Sequence, residues 1–384
     1  MEKIAINPNR LQWCMNTIGV DLDGLSLEVH IAKQTLEQVM ENQAALSVNQ
    51  LEKIANYFKR SLLFFLDPNE AREETIYSPQ FRTINNQKPI SSPKLRAFIE
   101  RVEKQREVYL GLMEDLEEPL NEEWYPNIKW NLKDIKLTSA KARQWLGISI
   151  SDNFDDIRQA VESKGIMVIV SNGYNGKWQI DKDNPVRGFS LYYNVLPVIV
   201  VKKQYSKGAQ TFTLMHELAH LLLHKESAID DEEDFHSYQG MEKEANEFAG
   251  NLLIPDVFLN ELNLEKLLNL EVEEYDNYLS DYKKRWCVSG EAILVRLLIN
   301  NIITQQHYQS YKNFKSQQAI KDSQKDTGPI PRKYRHREPM NVFGKPFVYA
   351  VFDSLHNRNI TLAKASTYLD NLKISDVRQL ERYV

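Results

Sequence analysis

The chain is poor in cysteine, in long apolar runs and in surplus charge. Its two cysteines, Cys14 and Cys287, lie far apart in 384 residues and outside any C-x-x-C spacing. That excludes a disulfide scaffold and a cysteine-based zinc or redox motif, and points to a reduced, cytoplasmic protein with buried thiols. The longest apolar run, VLPVIVV, is strand-sized, far short of the ~18 residues that would span a bilayer. The opening MEKIAINPNRLQWC lacks the basic and then apolar run of a signal peptide. No membrane partner is expected. The net charge of −5 and a pI near 6.0 exclude bulk attraction to DNA or anionic surfaces, so any nucleic-acid contact needs a local patch. What remains is ordinary for a soluble globular chain, 42% hydrophobic and 26% charged. It is long enough for two or three domains.

The pattern along the chain predicts an α+β protein, mostly helical, in four stretches. Residues 1–68 read as a compact run of short helices: PNRLQWCMNTIG, SLEVHIA with Ser26 as N-cap, KQTLEQVMEN, SVNQLEKIANYFKRS capped by Ser47, and a closing LLFFLDP. Residues 69–135 hold a polar, proline-containing linker and then one long amphipathic helix that starts at Ser92-Pro93. Residues 136–315 contain two short helices, three β-rich runs (IMVIVS, GFSLYY, PVIVVKK) and further helices. Residues 316–384 hold a second linker, with the basic run PRKYRHR, and a small C-terminal helical module. No internal repeat is visible.

Directly after the β-rich runs comes TFTLMHELAHLLLHKE, residues 211–226. Positions i and i+4 of a helix share a face, so His216 and His220 present two imidazoles to one Zn²⁺. Glu217 is rotated off that line, within reach of a water held by the ion, where a carboxylate can take its proton. The flanking residues are almost all apolar, so a polar trio here needs a reason. The competing reading is a chance H-E-x-x-H on a buried helix. A hydrolytic zinc takes three protein ligands and keeps one open position. In the spacing H-E-x-x-H-x-x-G-x-x-H, the last two positions are Leu223 and Glu226, so that pattern fails. The helix MEKEANEFAGNLLIP offers a glutamate instead. Glu242 shares a face with Ala245, Asn246 and Ala249, whose small members allow close approach, whereas Glu244 points roughly 160° away. A solvated helix charge is the bland reading of either glutamate.

RGFSLYYNVLPVIVVKK, TFTLMHELAHLLLH and EKEANEFAGNLLIP occur in that order, between about Gly188 and Pro255, and resemble the ImmA/IrrE metallopeptidases. The resemblance implies a zincin-like (gluzincin) domain with a small sheet. It implies zinc on His216, His220 and Glu242, with Glu217 as general base. It also implies a protein substrate, a DNA-bound repressor of the helix-turn-helix class, or a regulatory role beside a cognate toxin. The expected oxyanion donor is open among Tyr192, His224, His236 and Tyr238, each of which has an ordinary packing role as its default.

The first 68 residues resemble a Cro/repressor-like (Xre-type) helix-turn-helix domain. In that reading Ser26–Ala32 is its first helix and Lys33–Asn42 the recognition helix, with Lys33, Gln34, Thr35, Glu37 and Gln38 outward. Lys33, Gln34, Thr35 and Gln38 suit base-edge and phosphate contacts. Six cationic against eight anionic side chains in residues 1–67 argue against strong DNA binding, and a protein-docking or homodimerising module is the other reading. KKRWCVSGEAILVRLLINN looks like a second such fragment, with Arg296 inside its helix, although core packing of its leucines explains it equally. The sequence thus leads to a zinc endopeptidase behind a repressor-like domain. The alternative is a DNA-binding regulator or antitoxin whose metallopeptidase fold is sensory.

Overall fold

The structure is a computed structural model. It describes all residues except 1–2, 73–77, 89, 91, 119–123, 132, 172–176, 182, 205, 232, 235–238 and 323–331. The chain divides into two units, Met1–Lys104 and Gln105–Val384, with the boundary inside the helix Pro93–Asp115.

The first unit opens with five short helices whose ends are set by local chemistry. α1 (Pro8–Ile18) starts at an Asn7 cap with proline in its first turn, and stops at Gly19, which takes the left-handed conformation at φ 71°. α2 (Leu22–Val29) is capped by Asp21, whose carboxylate accepts from the Gly24 N–H. The expected Ser26 cap is therefore corrected: Ser26 lies inside α2, and its hydroxyl donates to the Ile31 carbonyl in the turn that follows. α3 (Lys33–Met40) and α4 (Val48–Phe58) come next, and α4 begins with a reciprocal Ser47/Gln50 capping box. α5 is Leu62–Leu66. Leu11, Leu25, Leu36, Leu51, Ile54 and Phe65 meet in one apolar core. The stretch read as a linker also contains a helix, Pro79–Gln87, capped by Ser78, with Phe81 and Ile84 fully buried.

The second unit is built on a four-stranded sheet of β1 (Met167–Val170), β2 (Val186–Leu191), β3 (Val198–Val201) and β4 (Ala228–Asp231), in the order β1-β3-β2-β4. β1 and β3 pair in parallel and every residue of both is buried, as expected of β-branched runs covered on both faces. β2 runs antiparallel to β3 on one side and to β4 on the other. β4 falls inside the acidic stretch KESAIDDEEDFHSYQG, where no strand was expected. The helix Lys207–Ala219 lies against β2 and β3, and the helix Gly240–Leu253 packs along it.

The helix Glu338–Phe343 packs on β1. Buried Arg158 joins the two. Its guanidinium donates to the Val168 carbonyl on β1, to the Asn341 and Val342 carbonyls, and to Glu162. Arg296 is also turned inward, bonded to the Ile254 carbonyl and to Asp256. Core packing and an internal ion pair therefore account for that side chain. No helix of the described residues is long and apolar enough to cross a membrane.

Candidate metal centre

His216 and His220 both project from the Lys207–Ala219 helix and its continuation, at 0% and 1% exposure. After Ala219 the helix widens into one π turn, His220–His224, and ends where Lys225 takes a left-handed φ of 55°. The wide turn brings His224 back beside His220, with Nδ1 to Nδ1 at 3.0 Å, and His224 Nε2 then meets Glu244 at 3.1 Å. Engaging Nδ1 in this way fixes the His220 ring so that Nε2 faces the other histidine.

Four donor atoms converge there. His216 Nε2 is 3.2 Å from His220 Nε2 and 3.2 Å from Glu242 Oε2. His220 Nε2 is 3.6 Å from Glu242 Oε2. Asp230 Oδ2, from β4, is 3.5 Å from both imidazole nitrogens. Glu242 enters from the first turn of the Gly240–Leu253 helix, where buried Ala245 and Ala249 allow the two helices to close up. Glu244, one residue pair further on, belongs to His224 instead.

These spacings test the fit of an ion directly. Zinc bonds of 2.0–2.1 Å at tetrahedral angles put neighbouring donors about 3.3–3.4 Å apart. The five separations of 3.2–3.6 Å bracket that value. The chemistry of the set agrees: nitrogen and carboxylate donors suit a divalent transition ion.

Glu217 completes the group. It is fully buried, and its Oε1 is tucked against Gly188 of β2, so close that a Cβ on Gly188 would lie 2.6 Å from it. Neither Glu217 oxygen has a partner in ordinary hydrogen-bond geometry; the Ser190 hydroxyl and the Asp230 carboxyl are its polar neighbours. Burial, then the Asp230 charge, pushes the Glu217 carboxyl well above the usual carboxylate range. For His216, burial works to lower the pKa, but the Asp230 and Glu242 carboxylates outweigh it and carry it up to about 9. Burial works against ionised Glu242 too, yet its contacts with His216 and His220 hold it below the usual range. For His224, burial and then its neighbour His220 lower the pKa. Three carboxyls and two imidazoles in one largely buried site could hold a cation.

Residues 162–298 match the family model of Peptidase_M78, the IrrE N-terminal-like domain. The match covers about a third of the chain, including the whole sheet and both helices that carry the donors. No curated protein and no solved structure matches this chain. The matched segment supports a metallopeptidase-type function, with the His/Asp/Glu group as its possible metal site.

Within the matched segment, His216, Glu217, His220 and Glu242 stand together, and Asp230 is the member that sequence reasoning missed. The only hint was its place in an acidic loop. Tyr192 is half-buried with its ring edge-on to Trp124, 6.0 Å between centroids. His236 and Tyr238 lie outside the described residues. A cleft of about 260 Å³ runs beside the two helices, lined by Phe212, Thr213, Asn246, Ala292, Val295 and Ile299 among others. In the first unit, Gln34 and Gln38 on α3 are exposed and Thr35 is half-buried. Lys33 is exposed but holds Asp23 at 2.7 Å.

Proposed function

We propose that this chain is a zinc-dependent endopeptidase in which His216, His220 and Glu242 hold the ion and Glu217 is the general base. The proposed substrate is a protein, a helix-turn-helix repressor. The observation that carries the reading is the convergence of His216, His220 and Glu242 at 3.2–3.6 Å with a buried carboxyl next in sequence to the first ligand. A zinc ion, when bound, supplies Lewis acidity and makes a water nucleophilic at neutral pH. The protein does the rest. Glu217, pressed between Gly188 and the histidine helix, has one narrow range of positions from which to take the water's proton and later hand it to the leaving amine. Its carboxyl, raised by burial and by Asp230, must be ionised to act as base, and a cation held by the donors would favour that ionised form. The 260 Å³ cleft, whose walls mix Phe212, Val295 and Ile299 with Arg187, Lys243 and Glu247, would take a substrate side chain with an apolar stem and a polar end. The repressor substrate rests on the resemblance of the three sequence blocks.

In the alternative, the chain is a DNA-binding regulator or antitoxin that works through α3. Its support is the exposure of Gln34 and Gln38. Lys33 engaged with Asp23 and a net-acidic first 67 residues weigh against it.

Glu217→Gln tests both. The amide keeps size and zinc but cannot accept the proton, so cleavage of a helix-turn-helix repressor substrate falls by ~10²-fold or more with zinc content unchanged. Undiminished cellular regulation by Glu217→Gln, with no cleavage by the zinc-loaded wild type and loss of regulation on changing Gln34 and Gln38, would establish the alternative.

A further inference from the structure

The cluster holds one donor more than a hydrolytic centre uses. Three protein ligands leave a position for water and substrate, yet Asp230 Oδ2 stands 3.5 Å from each imidazole nitrogen, within the 3.2–3.6 Å span of Glu242. Asp230 is 1% exposed, and its Oδ2 makes no hydrogen bond of ordinary geometry. The atoms it does face at close range are the two Nε2 nitrogens, each at 3.5 Å. A supporting carboxylate that orients a ligand histidine binds the nitrogen turned away from the ion. Asp230 faces Nε2 of both histidines, the same atoms that face Glu242. It therefore sits among the ligands and not behind them.

We propose, on the basis of the zinc reading above, that Asp230 is a fourth protein ligand that closes the shell, so the resting centre is latent until Asp230 withdraws. Its backbone is held at the edge of the sheet. Asp230 pairs with Gly188 across β2 and β4, and the next residue, Asp231, donates its N–H to the Asp234 carboxylate. That pairing holds the side chain in. But β4 has four residues, stands at the sheet edge, and its register slips between Val186 and Gly188, opposite Asp231 and Asp230. Loosening this last pair is the movement that would withdraw Asp230; beyond it, Asp234 is tied to the glutamate helix by the Asn246 amide, which donates to its carbonyl. The centre thus carries its own occupant of the position that substrate needs.

The test uses the full chain with Co²⁺ in place of zinc, whose visible absorption reports coordination, and acetohydroxamate as a probe of an open position. Wild type is expected to show a four-coordinate spectrum that acetohydroxamate changes only at high concentration. Asp230→Ala is expected to respond at ~10-fold lower concentration or less, because the competent state is no longer a minor fraction. Asp230→Asn, which keeps the volume, serves if the alanine variant does not fold, and is expected to shift the same way. Equal responses from wild type and both variants would overturn the proposal while leaving the three-ligand site intact. Full Co²⁺ binding by His216→Ala would instead sink the metal reading on which it rests.

Discussion

Gly188→Ala adds one methyl group at the narrowest point between sheet and helix. Its Cβ would stand 2.6 Å from Glu217 Oε1, 2.7 Å from Thr213 Cγ2 and 2.9 Å from the Val200 carbonyl oxygen. One of the three is backbone of a central strand, and the other two belong to a buried helix, so none can simply swing away. Overpacking of this kind costs about 1–3 kcal/mol, and three simultaneous clashes argue for the upper end. Alanine recovers about 0.5–1 kcal/mol of backbone entropy relative to glycine, leaving a net loss of about 2 kcal/mol. For a unit of this size that lowers the melting temperature by roughly 5 °C. Glu217 is also pushed from its seat, so cleavage falls more than stability does. The control is Gly111→Ala in the long helix, where an added Cβ meets nothing within 4 Å and helix propensity predicts a neutral to slightly stabilising change. Differential scanning calorimetry of both variants decides. If Gly188→Ala melts within a degree of wild type and retains full cleavage, Glu217 is not held where the structure puts it.

The other predictions concern the ion. His216→Ala and His220→Ala should each lose bound zinc, measured by elemental analysis after dialysis; undiminished zinc in both would place the site elsewhere. Glu242→Ala should weaken zinc in a chelator competition far more than Glu244→Ala, because Glu244 contacts only His224 of the histidine set; the reverse ranking would show that His224 and Glu244 form the working pair. In the chelated protein His216 is charged at neutral pH, its pKa raised to about 9, so an incoming ion must displace a proton. Zinc affinity should therefore climb with pH up to about 9, and calorimetry in two buffers at pH 7 should detect proton release; a flat profile would contradict the raised value. The same shift makes the chelated protein lose this contribution to stability as pH rises from about 6.5 through about 9, since the group is raised above its ordinary value.

How much of this could be read in the sequence depended on the range of the interaction. That His216 and His220 share a face with Glu217 beside it follows from the 3.6-residue period alone, and the proposal of Glu242 over Glu244 rests on the same geometry on the next helix. β1, β2 and β3 showed as β-branched runs because burial on both faces leaves an apolar signature. β4 left none: four residues, two of them acidic, become a strand only because β2 has a free edge opposite, some forty positions upstream. Asp230 was invisible for the same reason. The α2 start went to Asp21 and not Ser26 because both are good caps, and the choice depends on which one the buried Leu25 and Val29 pull into register. The orientation of Arg296 toward Asp256 is likewise a tertiary decision that no local pattern encodes.

The Arg158 junction has a consequence for how the protein is made. Two of its four acceptors, the Asn341 and Val342 carbonyls, are 183 and 184 positions downstream. At ~5–20 residues per second a ribosome needs roughly 10–40 s to deliver them. Through that interval β1 lacks the helix that covers it, and Arg158 has Glu162 and the Val168 carbonyl alone. The ion pair keeps the unfinished edge charged and hydrated, which discourages a neighbouring nascent chain from pairing with it. Arrival of Gly344, whose Cα approaches Glu162 so closely that a Cβ would collide with the carboxylate, then seals the pair from water. Translation that stops before Glu338 leaves the seam open, and such a product is one for quality control to remove.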